Sequence, residues 1–291
     1  MRPVRKAILP VGGLGTRLLP ATKAVPKEML TIVDKPLIQY AVEEASAAGL
    51  ENLIFVIGPD KEAIEQHFDE RVHLQDALEE QGKDEAIEAV QEAALEVGRY
   101  AYVRQSVPLG VGHAIWCARG LINNEPVAVL LPDDLILSET PCVKQLLDVY
   151  QKVGGNVIAV ESVPREQTSR YGIVNVTKEE GAVIEATGIV EKPAPDDAPS
   201  TLAVIGRYIL QPEVFEALED QKPGAGGEIQ LTDAIAQTLG SVPLHVVRFE
   251  GQRFDCGNKV GFVEANVAFA LARRDLRDDV IARLQRHSLG L

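Results

Sequence analysis

Short apolar runs alternate with helical patterns through the first half of the chain, and this alternation constrains the fold more than any other feature. The apolar runs predict buried strands and lie at 4–9, 52–57, 100–104 and 127–131. The segments between them have the apolar spacing of helices and cover 36–50, 60–97 with a break around Gly82, and 112–119. This strand–helix order predicts an α/β domain with a largely parallel sheet.

The second half has a different pattern, in which strand-like runs follow one another closely. These runs are 156–163, 171–177, 182–192 and 202–210. Because few helical segments separate them, we expect antiparallel strands added to the main sheet. The predicted fold class is therefore α/β, a Rossmann-like mixed, mainly parallel sheet flanked by helices, with added antiparallel strands in the second half. After a turn at 251–257, residues 258–287 have the spacing of one long terminal helix.

The distribution of charge limits the possible partners. The formal net charge is −14, which argues against nucleic acid and against an anionic membrane, since both require a basic face. Residues 60–96 alone carry 13 acidic side chains and three basic ones. Residues 10–27 have no acid but include Arg17, Lys23 and Lys27. An acidic protein with one basic, glycine-rich loop is expected to bind a small anion.

The amino terminus and the cysteines bear on the compartment. The apolar stretch near the amino terminus is too short for a signal peptide, and no apolar run approaches the roughly 20 residues of a membrane span. Cys117, Cys142 and Cys256 form no CxxC pair and have no metal-ligand spacing. We therefore expect reduced thiols in a cytoplasmic protein.

The glycine-rich loop at 12–18 is the first candidate site. Its three glycines, Gly12, Gly13 and Gly15, would let several backbone N–H groups approach a phosphate, and Arg17 would add a fork of donors. The loop has leucine where a dinucleotide fingerprint needs its last glycine, and it lacks the Gly-Lys-Ser/Thr ending of a Walker loop. A structural turn, or a solvated basic loop, remains the alternative at this point.

The loop and the residues after it, GGLGTRLLPATKAVPKEML at 12–30, resemble the signature of the sugar-1-phosphate nucleotidylyltransferases. The resemblance continues in the same order over nearly the whole chain, in YVRQSVPLGVGHA at 102–114, LLPDD at 130–134, RYGIV at 170–174, IVEKP at 189–193, GRYIL at 206–210, GEIQLTDAI at 227–235 and RFDCGNK at 253–259. Within the family the chain is most similar to the branch that uses UTP and glucose 1-phosphate. The resemblance implies the nucleotide-diphospho-sugar transferase type of fold.

The resemblance also implies a reaction. The phosphate oxygen of glucose 1-phosphate would attack the α-phosphorus of UTP in line, giving UDP-glucose and releasing pyrophosphate. A sugar phosphate is already nucleophilic at neutral pH, so the protein would contribute positioning and charge neutralisation, with Mg²⁺ as cofactor. Asp133 and Asp255 would be the metal ligands. The catalytic residues implied are Arg17, Lys27, Asp133, Lys192 and Asp255.

Binding residues follow from the same resemblance. The implied nucleotide-binding residues are Leu9, Gly12, Gly13, Gly15, Thr16, Arg17, Lys27, Gln105 and Gly110. The implied sugar-phosphate-binding residues are Gly172, Glu191, Lys192 and Val204. The amide of Gln105 offers a donor and an acceptor to the imide edge of uracil or thymine, and the Lys192 ammonium suits a phosphate.

Structural interpretations stand beside several of these assignments. Asp133 could be a turn or helix-capping residue, Lys192 part of an exposed ion pair, and Gln105 a polar strand end. We expect His113 to cap the helix that follows Gly112, and Trp116 to belong to the core.

Two rival functions remain open from the sequence. A thymidylyltransferase acting on glucose 1-phosphate differs in its base by one methyl group, worth roughly 1–3 kcal/mol in a pocket. A non-catalytic nucleotide-sensing homologue would lack some of the five catalytic residues, and this chain retains all of them.

The chain organisation is predicted as one domain over residues 1–291. Residues 1–155 would bind mainly the nucleotide and 156–257 mainly the sugar, while 258–291 would form a terminal helix available as an oligomer interface. The resemblance favours a homodimer or homotetramer.

Overall fold

A nine-stranded mixed sheet organises the computed structural model, which describes residues 1–177 and 181–288. The strands are β1 Lys6–Val11, β2 Thr31–Ile32, β3 Lys35–Pro36, β4 Asn52–Ile57, β5 Tyr100–Arg104, β6 Val127–Leu130, β7 Asp134–Leu137, β8 Asn156–Ser162, β9 Gly172–Val176, β10 Val183–Glu191, β11 Leu202–Leu210, β12 Leu244–Arg248 and β13 Gln252–Asp255. The order in the large sheet is β5-β4-β1-β6-β11-β8-β12-β10-β9, and β13-β7 and β2-β3 form two small sheets.

Helices cover both faces of the large sheet. They are α1 Leu37–Ala47, α2 Glu62–Phe68, α3 Val72–Glu80, α4 Asp84–Ala93, α5 Val111–Cys117, α6 Cys142–Val153, α7 Glu213–Ala217, α8 Leu231–Thr238, α9 Lys259–Ala272 and α10 Arg277–Ser288. Short 3-10 turns follow the glycine loop at Thr16–Leu18, Ala21–Lys23 and Lys27–Met29. No helix in the described part of the chain is long and apolar enough to span a membrane.

The first half of the chain forms the parallel part of the sheet. Strand β1 pairs in parallel with β4 from Lys6–Asn52 through Val11–Ile57, and it pairs in parallel with β6 on its other side. Strand β5 adds in parallel to β4. The carboxyl ends of these strands therefore meet at one edge, where open α/β sheets bind ligands.

The second half adds antiparallel strands, as predicted. Strand β11 is antiparallel to both β6 and β8, and β10 is antiparallel to β12 and β9. Strand β11 thus joins the two halves in one hydrogen-bonded sheet. The predicted fold class is confirmed, while the division of a single domain into nucleotide and sugar parts stays a prediction. Residues 289–291 of its last segment lie outside the described residues.

Alternating side chains of the central strands form two cores. On one face, Ile8, Val56 and Val129 pack with apolar residues of α5, α7 and α8. On the other face, Leu9 and Phe55 pack with residues of α1, α2 and α6. Successive residues of a strand point to opposite faces. Because both faces are covered, β1 after Lys6, β4 after Asn52 and the whole of β6 are apolar.

A buried ion pair fixes the middle of β11 against α1. The Arg207 side chain is 1% exposed, and its Nε and Nη2 donate to the Glu44 carboxylate at 2.7–3.0 Å. Its Nη1 donates to the carbonyl of Leu131, just past the end of β6. The register of β11 on β8 shifts between Val204 and Tyr208. This irregularity lies beside the turn that carries Asp133, and bulges of this kind redirect a strand near a site.

Three sequence predictions need correction. The terminal helix is two helices, because Arg273 is extended (φ −84°, ψ 125°) and forms ion pairs with Asp34 and Asp275. The helical stretch at 60–97 breaks at 69–71 as well as near Gly82. Most of the predicted turn at 251–257 is strand β13, which pairs antiparallel with β7.

Candidate active site

A cavity of about 730 Å³ opens where β1, β5 and β6 end. Fourteen of the fifteen residues predicted for the site line it. They are Gly12, Gly13, Gly15, Thr16, Arg17, Lys27, Gln105, Gly110, Asp133, Gly172, Glu191, Lys192, Val204 and Asp255. The exception is Leu9, whose side chain is fully buried in the core. The structure therefore does not bring the Leu9 side chain to the cavity, because alternation along β1 turns it to the face covered by α1, α2 and α6.

The glycine loop leaves β1 and lines the cavity next to Gln105. A Cβ on Gly12 would lie 2.3 Å from Oε1 of Gln105, so any larger residue here would displace the buried Gln105 amide. Gly15 has φ 65°, a left-handed conformation that glycine adopts readily. The hydroxyl of Thr22 donates to the Gly15 carbonyl at 2.8 Å and closes the loop onto the next turn. Arg17 lies in the 3-10 turn Thr16–Leu18 and lines the cavity.

Lys61, a buried lysine that no sequence motif indicated, supports the glycine loop. Nζ of Lys61 donates to Oε2 of Glu28 at 2.7 Å and to the carbonyl of Gly13 at 2.9 Å. The side chains of Lys61 and Glu28 are 7% and 1% exposed. Lys61 directly precedes α2, in the segment that connects β4 to α2. Its hydrogen bonds therefore tie this segment to the glycine loop. Its position in an acidic stretch gave no signal of this role.

Lys27 and Asp133 form an ion pair at the cavity wall. Nζ of Lys27 donates to Oδ2 of Asp133 at 2.6 Å and lies 3.9 Å from Oε1 of Glu28. Burial opposes the charge on Lys27, but the Asp133 and Glu28 carboxylates outweigh it and raise the pKa of Lys27. Burial likewise opposes the charge on Asp133, yet Lys27 and Arg17 lower the pKa of that carboxyl. Both partners are therefore charged at neutral pH.

The two predicted metal ligands converge on Gly257. A Cβ built there would lie 3.0 Å from Oδ1 of Asp255, 3.1 Å from Oδ2 of Asp133 and 2.6 Å from Nη2 of Arg17. Asp255 ends β13, and its carboxylate accepts from the Gly257 N–H and from Arg170, both at 3.0 Å. Residues far apart in sequence thus bring two carboxylates and a guanidinium to one point.

Asp134, the neighbour of Asp133, has a different environment. Its Oδ1 accepts from Nε of Arg253 at 2.7 Å, and its Oδ2 accepts from the backbone N–H of Gly206 at 2.9 Å. Burial raises the pKa of Asp134 even though Arg253 opposes that shift. Arg253 also forms an ion pair with Glu161. Asp134 therefore links β7, β11 and β13 in the wall of the cavity.

The opposite side of the cavity presents Lys192 and Glu191. Nζ of Lys192 lies 3.2 Å from Oε1 of Glu191, whose Oε2 accepts from the hydroxyl of Thr232 at 2.8 Å. A Cβ on Gly172 would lie 2.7 Å from Cγ2 of Thr232, so β9 approaches α8 closely here. The backbone of Lys192 has φ 47° and its N–H donates to Tyr171. Thr232, Arg170 and Arg253 belong to motifs quoted above, and that was the only signal for them.

The end of the cavity near β5 is formed by Gln105 and Gly110. Nε2 of Gln105 donates to the Gly110 carbonyl at 3.1 Å and lies 3.0 Å from Nδ1 of His113. The prediction that His113 caps α5 is wrong, because Gly110 is the capping position and makes no side-chain cap bond. Trp116 is half-buried and packs against the core.

The acidic residues present fit a hard divalent cation with few protein ligands. No group of three or more His, Cys, Asp and Glu residues suited to a metal is found within 1–177 and 181–288. Mg²⁺ usually takes one or two carboxylates and completes its shell with water and phosphate oxygens. The converging carboxylates of Asp133 and Asp255 meet that requirement.

The chain is similar to known nucleotidyl transferases in sequence and in structure. The family model described as "Nucleotidyl transferase" matches residues 6–271. The chain is 52% identical to a UTP–glucose-1-phosphate uridylyltransferase of Staphylococcus haemolyticus (strain JCSC1435), over 97% of each chain. It is similar to a UDP-glucose pyrophosphorylase complexed with UDP-glucose, at 43% identity and TM-score 0.82, covering 93% of this chain and 100% of that one. It is also similar to UTP-bound UGPase from Acinetobacter baumannii, at 39% identity and TM-score 0.90, covering 97% of this chain and 99% of that one.

Proposed function

The chain belongs to the nucleotidyl transferase family, and within it we propose that the chain transfers the uridylyl group of UTP to glucose 1-phosphate, giving UDP-glucose and pyrophosphate. The observation that carries this proposal is the convergence of Arg17, Asp133 and Asp255 beside the glycine loop, with Lys192 and Glu191 in the same cavity. Relatives named for this reaction, or holding UTP or UDP-glucose, support it.

The residues of the cavity would act by position and charge. The phosphate oxygen of the sugar phosphate attacks the α-phosphorus of UTP in line, and the bond to the pyrophosphate oxygen breaks. Arg17 and Lys27 offset the negative charge of the triphosphate, which is the main requirement of such transfers. The sugar phosphate is ionised at neutral pH, so no side chain has to remove a proton from it.

We infer that the cofactor is Mg²⁺ and that Asp133 and Asp255 hold it. When bound, the ion supplies positive charge that neutralises the phosphate oxygens of both substrates. Lys27 orients Asp133, while Arg170 and the N–H of Gly257 orient Asp255. These contacts hold the two carboxylates in place at the cavity wall, where they would ligate the ion.

The sugar phosphate would lie in the cavity against residues of β9, β10 and β11. Lys192 provides an ammonium for its phosphate, and Glu191 accepts hydrogen bonds from sugar hydroxyls. Thr232 fixes Glu191 in orientation through its 2.8 Å hydrogen bond. Gly172 and Val204 line the cavity here and offer backbone groups at close approach.

Assembly and location are further proposals. We propose a homodimer or homotetramer, because α9 leaves Val260 and Val263 76% and 62% exposed, and a second copy could cover such apolar side chains. Light scattering after size exclusion tests this, and a monomer at micromolar concentration would contradict it. We propose the cytoplasm because Cys117, Cys142 and Cys256 are free thiols, as expected in a reducing compartment.

Pyrophosphate release tests the proposed reaction. The purified protein is assayed with Mg²⁺, crossing UTP and dTTP with glucose 1-phosphate and galactose 1-phosphate, with and without EDTA. We expect strong release with UTP and glucose 1-phosphate that EDTA abolishes. A preference for dTTP would move the chain to the thymidylyl branch. UTP binding without release from any pair would identify a non-catalytic homologue instead.

A further inference from the structure

The side-chain amide of Gln105 has both of its hydrogens engaged. Nε2 lies 3.1 Å from the carbonyl oxygen of Gly110 and 3.0 Å from Nδ1 of His113. A carbonyl oxygen can only accept, so the nitrogen of the amide must face Gly110. Since Nε2 has two hydrogens, these two acceptors use both of them. The amide therefore retains only its oxygen for a ligand.

That oxygen lies against the glycine loop. A Cβ on Gly12 would lie 2.3 Å from Oε1 of Gln105, so the oxygen lies directly against the Gly12 backbone. Both Gly12 and Gln105 line the cavity, although Gln105 is only 3% exposed overall. Gln105 thus offers an acceptor oxygen beside the first glycine of the loop.

His113 has the protonation state and the support that this arrangement needs. Its Nδ1 accepts from Gln105, so the ring proton is on Nε2, which faces Sγ of Cys117 at 3.8 Å. Burial lowers the pKa of His113, which favours the neutral ring. Trp116 stacks on the imidazole at 6.0 Å between centroids, and the Arg119 guanidinium lies 3.4 Å over Trp116. This stack restricts rotation of the ring.

We propose that His113 is a specificity-determining residue for the nucleotide base and that it acts through Gln105. By accepting the second amide hydrogen, His113 keeps Oε1 of Gln105 available to accept the N3–H of a uracil or thymine ring. The selected substrates are nucleoside triphosphates whose base has an imide N–H. This inference rests on the proposed function, with UTP as a substrate, and on the expectation from the family resemblance that Gln105 contacts the base.

The chemistry of the pyrimidines gives the selectivity. Uracil and thymine carry a hydrogen on N3, which can donate to Oε1. Cytosine carries a lone pair on N3, which would face the lone pairs of Oε1 and leave both groups without a partner. His113 therefore selects against CTP. It does not separate UTP from dTTP, because the 5-methyl group lies on another edge of the ring.

Base selectivity of His113 variants tests the proposal. His113→Leu removes the acceptor, and His113→Asn keeps an acceptor oxygen one bond beyond Cγ, close to where Nδ1 lies. The control is His67→Leu, which removes a similar histidine–glutamine hydrogen bond, at 3.0 Å to Gln39, from a site outside the cavity lining. The kcat/KM values for UTP and CTP are measured with glucose 1-phosphate and Mg²⁺, and Kd values are measured by calorimetry without the sugar phosphate.

We expect His113→Leu to lower the UTP-to-CTP ratio of kcat/KM about ten-fold, the equivalent of one hydrogen bond. The change should lie in KM and Kd, with kcat for UTP within about two-fold of wild type. His113→Asn and His67→Leu should keep the wild-type ratio within about two-fold. If His113→Leu does not fold, His113→Ala replaces it with the same criteria.

Two results would overturn the proposal. One is an unchanged ratio in the folded variant that lacks the acceptor. The other is an equal loss in His113→Asn, which would assign the effect to packing. Failure of the proposed reaction is recognised separately, because wild-type protein would then release no pyrophosphate. In that case, a calorimetric preference for UTP over CTP that is lost in His113→Leu would still support the role of His113.

Discussion

Replacing Lys61 by methionine should destabilise the fold far more than an ordinary lysine substitution. Lys61 neutralises Glu28 and holds the carbonyl of Gly13, and neither charged side chain is more than 7% exposed. Removing Lys61 leaves the buried Glu28 carboxylate with only the more distant Lys27, 3.9 Å away, and breaking one side of a buried pair costs about 3–5 kcal/mol. The average unfolding entropy per residue makes 1 kcal/mol worth roughly 1.6 °C in a chain of this length, so Tm should fall by roughly 5–8 °C.

Thermal unfolding of a double-mutant cycle isolates the cause. Glu28→Gln removes the charge that Lys61 neutralises, so the double variant Lys61→Met/Glu28→Gln should recover at least half of the lost Tm. The control is Lys222→Met, whose ion pair with Asp220 is exposed, and its Tm should equal that of wild type. Equal Tm values for Lys61→Met and wild type would refute the reasoning.

The pH dependence gives an independent check. Burial raises the pKa of Glu28, and loss of Lys61 removes a charge that opposes this shift, so the pKa rises further in Lys61→Met. An acid whose pKa is higher in the folded state binds its proton more tightly there, so stability returns as pH falls. The Tm difference between Lys61→Met and wild type should therefore narrow from pH 8 to pH 5. A difference that widens toward low pH would contradict the assignment of the buried charge.

Three further outcomes are expected at the cavity. Asp133→Ala and Asp255→Ala should each lower turnover by at least roughly 10²–10³-fold with an unchanged circular dichroism spectrum. Each variant should also bind Mn²⁺ more weakly, as followed by electron paramagnetic resonance. Near-normal turnover by either variant would exclude a metal role for that residue. Lys192→Ala should raise KM for glucose 1-phosphate about ten-fold or more while leaving the calorimetric Kd for UTP within about two-fold, because the ammonium is assigned to the sugar phosphate; a collapse of UTP binding would show that assignment to be wrong. Gly257→Ala should reduce kcat at least about ten-fold, since its Cβ would lie 2.6–3.1 Å from the converging side chains, whereas Gly120→Ala, which meets nothing within 4 Å, should keep wild-type kcat; equal activity of the two variants would contradict the crowding at residue 257.

Elements defined by local pattern could be predicted from the sequence. The strands at 52–57 and 100–104 have the predicted bounds, because each is a mainly apolar run that polar or glycine residues flank. The terminal helix was predicted too long, since its break depends on Arg273 pairing with Asp34, 239 residues away in sequence. Apolar spacing carries no information about such a contact.

The same distinction applies to the candidate site. Cavity residues such as Arg17 and Asp133 could be named because they belong to contiguous motifs that the family shares. The Lys61 brace and the His113–Gln105 hydrogen bond could not, because each requires knowing which side chains the fold brings together. The sequence also predicted that Gln105 offers a donor and an acceptor, whereas its donors are already engaged within the protein.

The burial and pairing of strand β11 limit which parts of the cavity wall can move. Val204 lies in the proposed sugar site, and the N–H of Gly206 donates to the carboxylate of Asp134, the neighbour of the proposed metal ligand Asp133. Arg207 forms an ion pair with Glu44 of α1. All nine of its residues are buried, and it is hydrogen-bonded to strands on both sides. One buried strand, paired on both sides, therefore connects the proposed sugar site to the proposed metal site, and we expect the distance between the two sites to stay constant. We therefore expect any closure around the substrates to involve segments outside β11.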